Sequence, residues 1–170
     1  MNDMSNELHN FIQKIMLAMH TYQKVHNTKS QCGTNSYYFC DSINYNFPEA
    51  NAQAASVIAY SIKDHTAITH IVVMIGNKLY DPSYETFSLK DVQYFHNVKD
   101  LKNWLNEKKK TLLLTVNGIE LNPLESLKFI IKEMIRLTNI SKLINNGGSG
   151  IMCKKYYNKQ ADFIDENFVF

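Results

Sequence analysis

Apolar positions recur at helical spacing from the start of the chain. Leu8, Phe11, Ile12, Ile15, Met16, Met19 and Tyr22 form one stripe, and Ser5 precedes it as an N-cap, so a helix is expected over residues 6–25. Residues 26–31, His-Asn-Thr-Lys-Ser-Gln, are polar and read as a loop. A second stripe, Cys32, Ser36, Phe39, Cys40 and Ile43, predicts a helix from Cys32 to about Tyr45. Pro48 with Glu49 suits the first turn of a third helix, expected to run to about Ile62.

The pattern then changes to that of a hairpin. Thr69 to Ile75 is apolar and β-branched, Gly76-Asn77 is a two-residue turn signal, and the return run stops at Pro82. With Gly76 and Asn77 at the centre, Ile75 faces Lys78, Met74 faces Leu79, Val73 faces Tyr80 and Val72 faces Asp81. His70 lies two residues before Val72 and so projects from the same face as Asp81, a diagonal neighbour about 7–8 Å away at Cα.

Beyond the hairpin, Ser88-Leu89-Lys90-Asp91 reads as a cap opening a short helix to about Phe95. A further helix is expected over about 98–108, carrying Leu101, Trp104 and Leu105. Thr111 to Val116 reads as a strand, Asn117-Gly118 as a turn, and Ile119 to Leu121 as a short return. Asn122-Pro123-Leu124-Glu125 combines a cap, a first-turn proline and an acidic residue, and starts a long helix over 123–145. Its apolar residues cover more than one face, which implies deep burial or a contact shared with a second copy of the chain, that is, a homo-oligomer. Gly147 to Gly150 reads as a flexible loop, and the tail Phe168-Val169-Phe170 is expected to tuck onto the core.

Composition narrows the picture. A chain of 170 residues, 45% hydrophobic and 20% charged, suits one globular domain over 1–170: a core over 6–121, with helix 123–145 and tail 146–170 packed on it. The net charge of +2 gives no electrostatic case for nucleic acid, and Lys108-Lys109-Lys110 reads as a solvated helix end. No apolar run approaches the about 20 residues of a membrane span, so no membrane partner is expected. The opening, Met1 to Glu7, is polar, so no secretory leader is expected. Three cysteines, Cys32, Cys40 and Cys153, without metal-site spacing suit a reducing setting, hence a cytoplasmic protein, or a host-cell cytoplasmic one if the source is a virus or pathogen. The histidines form no metal pattern, and no cofactor is implied. Cys40 reads as a structural thiol pointing into the core, and Cys153 as a surface or loop thiol.

The candidate chemistry is nucleophilic. A reactive cysteine needs a stabilised thiolate, a base within reach, and a third group to orient that base. Cys32 opens a helix, where unpaired N–H groups and the dipole favour an anion. His70 and Asp81 supply base and orienter, and Gly33 leaves little bulk beside the sulfur.

These residues resemble the papain-like superfamily of cysteine hydrolases in its transglutaminase-like branch. That branch shows Cys at a helix start, then His on a strand, a Gly turn, an aromatic residue, and Asp-Pro-Thr or Asp-Pro-Ser. His70, Gly76, Tyr80, Asp81, Pro82 and Ser83 fit it. The interval from Cys32 to His70 is also similar to that of transglutaminase-like domains and arylamine N-acetyltransferases. Cys32-Gly33, His70 followed by Val72-Val73, and Asp81-Pro82 further resemble bacteriocin-processing peptidase domains of export transporters.

The resemblance covers about residues 28–95. It implies an α+β fold with a papain-like or transglutaminase-like core, helices packed on a small antiparallel sheet. It also implies acyl transfer at an amide of a protein or peptide substrate, through catalytic Cys32, His70 and Asp81. Such enzymes place an oxyanion-hole glutamine about six residues before the cysteine, where this chain has His26. Gln31 and Gln23 lie off that spacing, so Gln31, His26 and Gln23 all stand as candidates. The tryptophan often found near the nucleophile is absent; Trp104 lies elsewhere. The other reading open from sequence is a non-catalytic binding or structural module on a similar α+β fold.

Overall fold

The computed structural model describes residues 4–148 and 153–170, and the molecule is an α+β structure. Among the described residues six α-helices accompany a four-stranded antiparallel sheet and a separate two-stranded ribbon. The first half runs α1 (Asn6–Val25), α2 (Cys32–Asn46), a 3₁₀ turn (Pro48–Ala50), β1 (Gln53–Ser61), β2 (Thr66–Ile75), β3 (Lys78–Tyr80), α3 (Tyr84–Phe87) and β4 (Val92–Phe95). The second half runs α4 (Val98–Glu107), β5 (Thr115–Val116), β6 (Ile119–Glu120), α5 (Pro123–Asn145) and α6 (Lys154–Asn167). The sheet order is β3-β2-β1-β4.

The two N-terminal helices form where the stripes place them. Ser5 caps α1 by accepting the Leu8 N–H at 3.2 Å. Leu8, Ile12, Ile15 and Met19 then pack with Phe39, Cys40 and Ile43 of α2 against Val73 and Ile75 of β2. The opening Met1 to Asp3 of the expected polar start lies outside the described residues.

The expected helix over 48–62 is corrected to a strand. Only Pro48–Ala50 turns, as a single 3₁₀ turn, and Asn51 takes a left-handed φ of 47° that ends it. From Gln53 the chain is extended and pairs along its whole length with β2, Val57 opposite His70. The other edge of β1 pairs with β4, Ala59 opposite Tyr94. A strand at the centre of a sheet has both edges taken, and residues 57–61 are buried without interruption. Such a run carries no two-residue period, and its alanines favour a helix locally, so tertiary pairing overrides propensity.

The short helix expected over 88–95 is likewise corrected. The helical turn is α3, ahead of Ser88, while Asp91 sits at φ 60° and its carbonyl accepts from Ile62 N–H at 3.0 Å. That bond leads Val92–Phe95 into the sheet as β4.

The strand expected over 111–116 shrinks to Thr115–Val116. Leu112 and Leu114 are instead buried anchors, with the Leu114 N–H donating to Ser126 Oγ at 3.0 Å. Asn117 and Gly118, both at positive φ, make the expected turn.

Asn122 caps α5 through Glu125 N–H at 2.8 Å. The helix buries Ile130, Met134, Leu137 and Ile144 and leaves Leu124, Ile131, Ile135 and Leu143 exposed. Its broad apolar surface is thus divided between the core and the outside. The expected loop over Gly147–Gly150 is described only at Gly147 and Gly148.

The tail holds an element the sequence pattern did not reveal, α6. It docks on α1 and α2 through Ile164 and buried Gln160, with too few apolar positions for a stripe. Phe168 packs on the core, and the Phe170 ring stands 5.6 Å from that of Phe11. Among the described residues no helix is long and apolar enough to cross a membrane.

Candidate active site

The hairpin β2–β3 has the register its pattern predicts: Ile75 opposite Lys78, Met74 opposite Leu79, Val73 opposite Tyr80. Gly76 adopts φ 61°, a conformation that costs a glycine little and an L-residue much. His70 and Asp81 therefore project from one face. His70 Nε2 donates to Asp81 Oδ1 at 2.9 Å, with both side chains almost wholly buried.

β3 stops at Tyr80, so the part of β2 that carries His70 has β1 on one side only. The start of α2 lies against the other side there. Ser36 Oγ donates to the Ile71 carbonyl at 3.2 Å, and Gly33 faces the Ile71 side chain. This packing brings half-buried Cys32 close enough to His70 to act on the titration of the ring. Asp81 occupies Nε2, so Nδ1 is the nitrogen left for the sulfur.

Burial pulls the His70 pKa down. The hydrogen bonds to Asp81 and Cys32, with the charges on both, outweigh it and raise the pKa to about 10. The ring is therefore an imidazolium at neutral pH, held by the Asp81 carboxylate. Cys32 opens α2 with no acidic residue in the first turn, so nothing there competes with a thiolate for the free N–H groups.

Asp81 has partners that sequence reasoning missed. Its Oδ1 also accepts the Ser83 N–H at 3.0 Å, and its Oδ2 accepts the Tyr94 hydroxyl at 2.7 Å. Its backbone carbonyl accepts from His20 Nε2 at 2.9 Å. Burial lowers the pKa of His20 against the opposing effect of that bond and of the Asp81 charge, which keeps the ring neutral. Tyr94 sits on β4, the strand read as helix, so no sequence signal pointed to it.

The three oxyanion candidates differ in their commitments. Gln23 is buried and spent: its Nε2 donates to Pro82 O at 2.8 Å and Gln160 Oε1 at 3.0 Å, and its Oε1 accepts the Tyr84 N–H at 2.7 Å. Both amide protons are in use, which removes it as an oxyanion donor; its work is to fasten the Pro82–Tyr84 corner to α1 and α6. His26 folds back on its own helix, Nδ1 bonded to Tyr22 O at 2.8 Å and the ring 4.3 Å from that of Tyr22. Gln31 precedes Cys32 as the N-cap residue of α2 without a side-chain capping bond.

A polar chain ties α6 to the same corner. Tyr156 Oη donates to Asn35 Oδ1 at 2.7 Å, and Asn35 Nδ2 donates to Ser83 Oγ at 3.1 Å. Cys153 is exposed at the start of α6, its N–H bonded to Thr34 Oγ1 at 3.2 Å. Cys40 is buried, and burial together with Asp41 pushes its thiol up to about 12. Among the described residues no group of three His, Cys, Asp or Glu side chains comes together to hold a metal ion.

No protein-family model, no curated protein and no solved structure matches the chain.

Proposed function

We propose that the chain is a cysteine-dependent acyl-transfer enzyme acting on amide bonds, with a papain-like or transglutaminase-like core. One observation carries the reading: a buried His70–Asp81 pair with a cysteine close by at the free end of a helix. The order helix-borne Cys, strand-borne His, Asp after a tight turn is the order in the resemblance.

In this mechanism the Cys32 thiolate attacks the amide carbonyl carbon, and the carbonyl π electrons move to oxygen. The oxyanion is met by N–H groups at the start of α2, that of Cys32 first. As the C–N bond breaks, His70 Nδ1 gives its proton to the departing amine, leaving a thioester on Cys32. Water or an amine then attacks the thioester, His70 takes the proton of the nucleophile, and the thiolate leaves. Asp81 holds the ring in place and balances its charge.

Gly33 supports this reading. A methyl group there would make only an ordinary contact with Ile71, so packing does not require glycine. Glycine within a helix costs about 0.5–1 kcal/mol relative to alanine. An unforced glycine beside the sulfur is what close approach of a substrate backbone calls for.

The test is a peptide-library incubation of wild type and Cys32→Ala, read for new termini, released ammonia and amine incorporation. Wild type should yield one of these products and Cys32→Ala none. Equal products from both, or none from wild type when Cys32 is no more reactive than Cys153, would overturn the reading.

A second reading, a binding module, rests on the outer side of α5. Ile131, Met134 and Ile135 line an open groove of 510 Å³ with His96 and Val98. A concentration-dependent change of mass in solution, abolished by Ile135→Glu, would support it as a contact between copies.

A further inference from the structure

We propose that Tyr94 is a positioning residue of the site: its hydroxyl holds Asp81 Oδ2 and so keeps Oδ1 aimed at His70. The proposal rests on the roles given above to Cys32, His70 and Asp81, and it adds a member from a strand outside the Cys-His-Asp segment.

The geometry is specific. A carboxylate has two oxygens and a free torsion about its Cα–Cβ and Cβ–Cγ bonds. Asp81 Oδ1 takes two donors, His70 Nε2 and the Ser83 N–H; Oδ2 takes the Tyr94 hydroxyl, at the shortest distance of the three, 2.7 Å. The carboxylate plane is thereby fixed from both ends. The Tyr94 phenol also keeps its proton: burial, and then the Asp81 charge and hydrogen bond, raise its pKa well above the ordinary value. It is therefore a permanent donor toward Asp81.

Tyr94 is placed by the fold and not by its neighbours in sequence. Its partner across the ladder is Ala59 on β1, small enough to leave space above the sheet beside Val57, the residue opposite His70. β4 thus lets the phenol reach over the central strand to the far side of the hairpin. Without the hydroxyl, Oδ2 would be a buried carboxylate oxygen short of a partner. The carboxylate would then be free to turn, and the His70 imidazolium would lose its fixed partner and its aim beside Cys32.

The groups that bear on this titration come from each packed element. Cys32 faces the ring from α2, Asp81 from the corner after β3, and Tyr94 faces that carboxylate from β4. Neutral His20, from α1, bonds the Asp81 carbonyl and stacks against Tyr84 and Phe87 around α3.

The experiment is the pH profile of Cys32 alkylation by iodoacetamide, read by mass spectrometry on the full chain as wild type, Tyr94→Phe, His70→Ala, Asp81→Asn and Asp81→Asn/Tyr94→Phe. Phenylalanine keeps the ring and removes one oxygen. The Tyr94→Phe midpoint should move up by about half to one pH unit, a three- to tenfold loss of rate on the rising limb, with the Cys153 profile unmoved. The double variant should match Asp81→Asn alone, because the hydroxyl acts through the carboxylate.

A midpoint unchanged in Tyr94→Phe but moved in His70→Ala overturns the role of Tyr94 and leaves the enzyme proposal standing. A midpoint unchanged in both removes the enzyme proposal as well. As a check that needs no variant, the Tyr94 ring carbon bearing the hydroxyl, labelled with ¹³C in wild type, should titrate with the Cys32 midpoint. A flat resonance across that range overturns the proposal.

Discussion

His70 and Asp81 lie eleven residues apart and meet at 2.9 Å because the turn between them is even. Two residues at Gly76-Asn77 keep both side chains on one face of the sheet. One extra residue would send Asp81 to the opposite face. An alanine inserted after Asn77 should therefore abolish the slowing of Cys32 alkylation caused by His70→Ala, since His70 would already lack its partner. A full His70 effect in the insertion variant would show that the register does not matter.

The thiols should rank by environment. Cys32 has a cation and a helix start, Cys153 has exposure alone, and Cys40 is buried with its pKa pushed up to about 12. Iodoacetamide at neutral pH should modify Cys32 first, faster than Cys153 by about tenfold or more, and Cys40 only on unfolding. Cys153 reacting first would remove the catalytic reading.

The two buried histidines bend the stability curve in opposite directions. The His70 pKa is raised from 6.5 to about 10, so its contribution is complete below pH 6.5 and is lost as pH rises through about 10. The His20 pKa is lowered from 6.5, so its contribution is present above pH 6.5 and lost as pH falls toward the folded value. Thermal melts of wild type against His70→Gln should converge by pH 10, and those of wild type against His20→Gln should converge on the acid side.

Gly33→Ala separates approach from packing. The added methyl has room against Ile71, so stability should rise by about 0.5–1 kcal/mol in urea titration while turnover falls at least tenfold. Lower stability in this variant would mean that the glycine is there for packing.

Gln23→Met separates support from catalysis. It removes three hydrogen bonds, two of them buried, while keeping the volume, and should cost about 2–4 kcal/mol in urea titration. Activity per folded molecule should hold, because Gln23 has no amide proton to offer an oxyanion.

The parts of the fold that were legible in sequence are those whose local signals agree with their tertiary setting. Ser5 and Asn122 cap the helices they precede, and Gly76 turns the hairpin it interrupts. β1 was not legible, because a strand paired on both edges needs no alternation and its alanines suit a helix equally well. β4 was lost to a cap signal at Ser88 that belongs past the end of α3. α6 is held by Gln160, Tyr156 and Ile164, a mixed set that forms no apolar stripe.

The same division holds in the site. Cys32, His70 and Asp81 lie within one short segment where parity and spacing can be counted. Tyr94 and His20 reach that segment from elements whose docking is set by tertiary contacts, and no count along the chain finds them; Gln23 is found as an oxyanion candidate but not as the fastener it is.

The brevity of β3 has a consequence for the chain's behaviour outside catalysis. Where β3 ends, the free margin of β2 beside Ile71 is closed by the start of α2, with Ser36 on the Ile71 carbonyl. An open strand margin is a template on which other chains add and build insoluble assemblies. The helix that carries Cys32 is thus also the guard against that outcome. Under the proposed function, damage that lifts it would remove activity and expose the margin in one event, which ties two separate selective pressures to the same few residues.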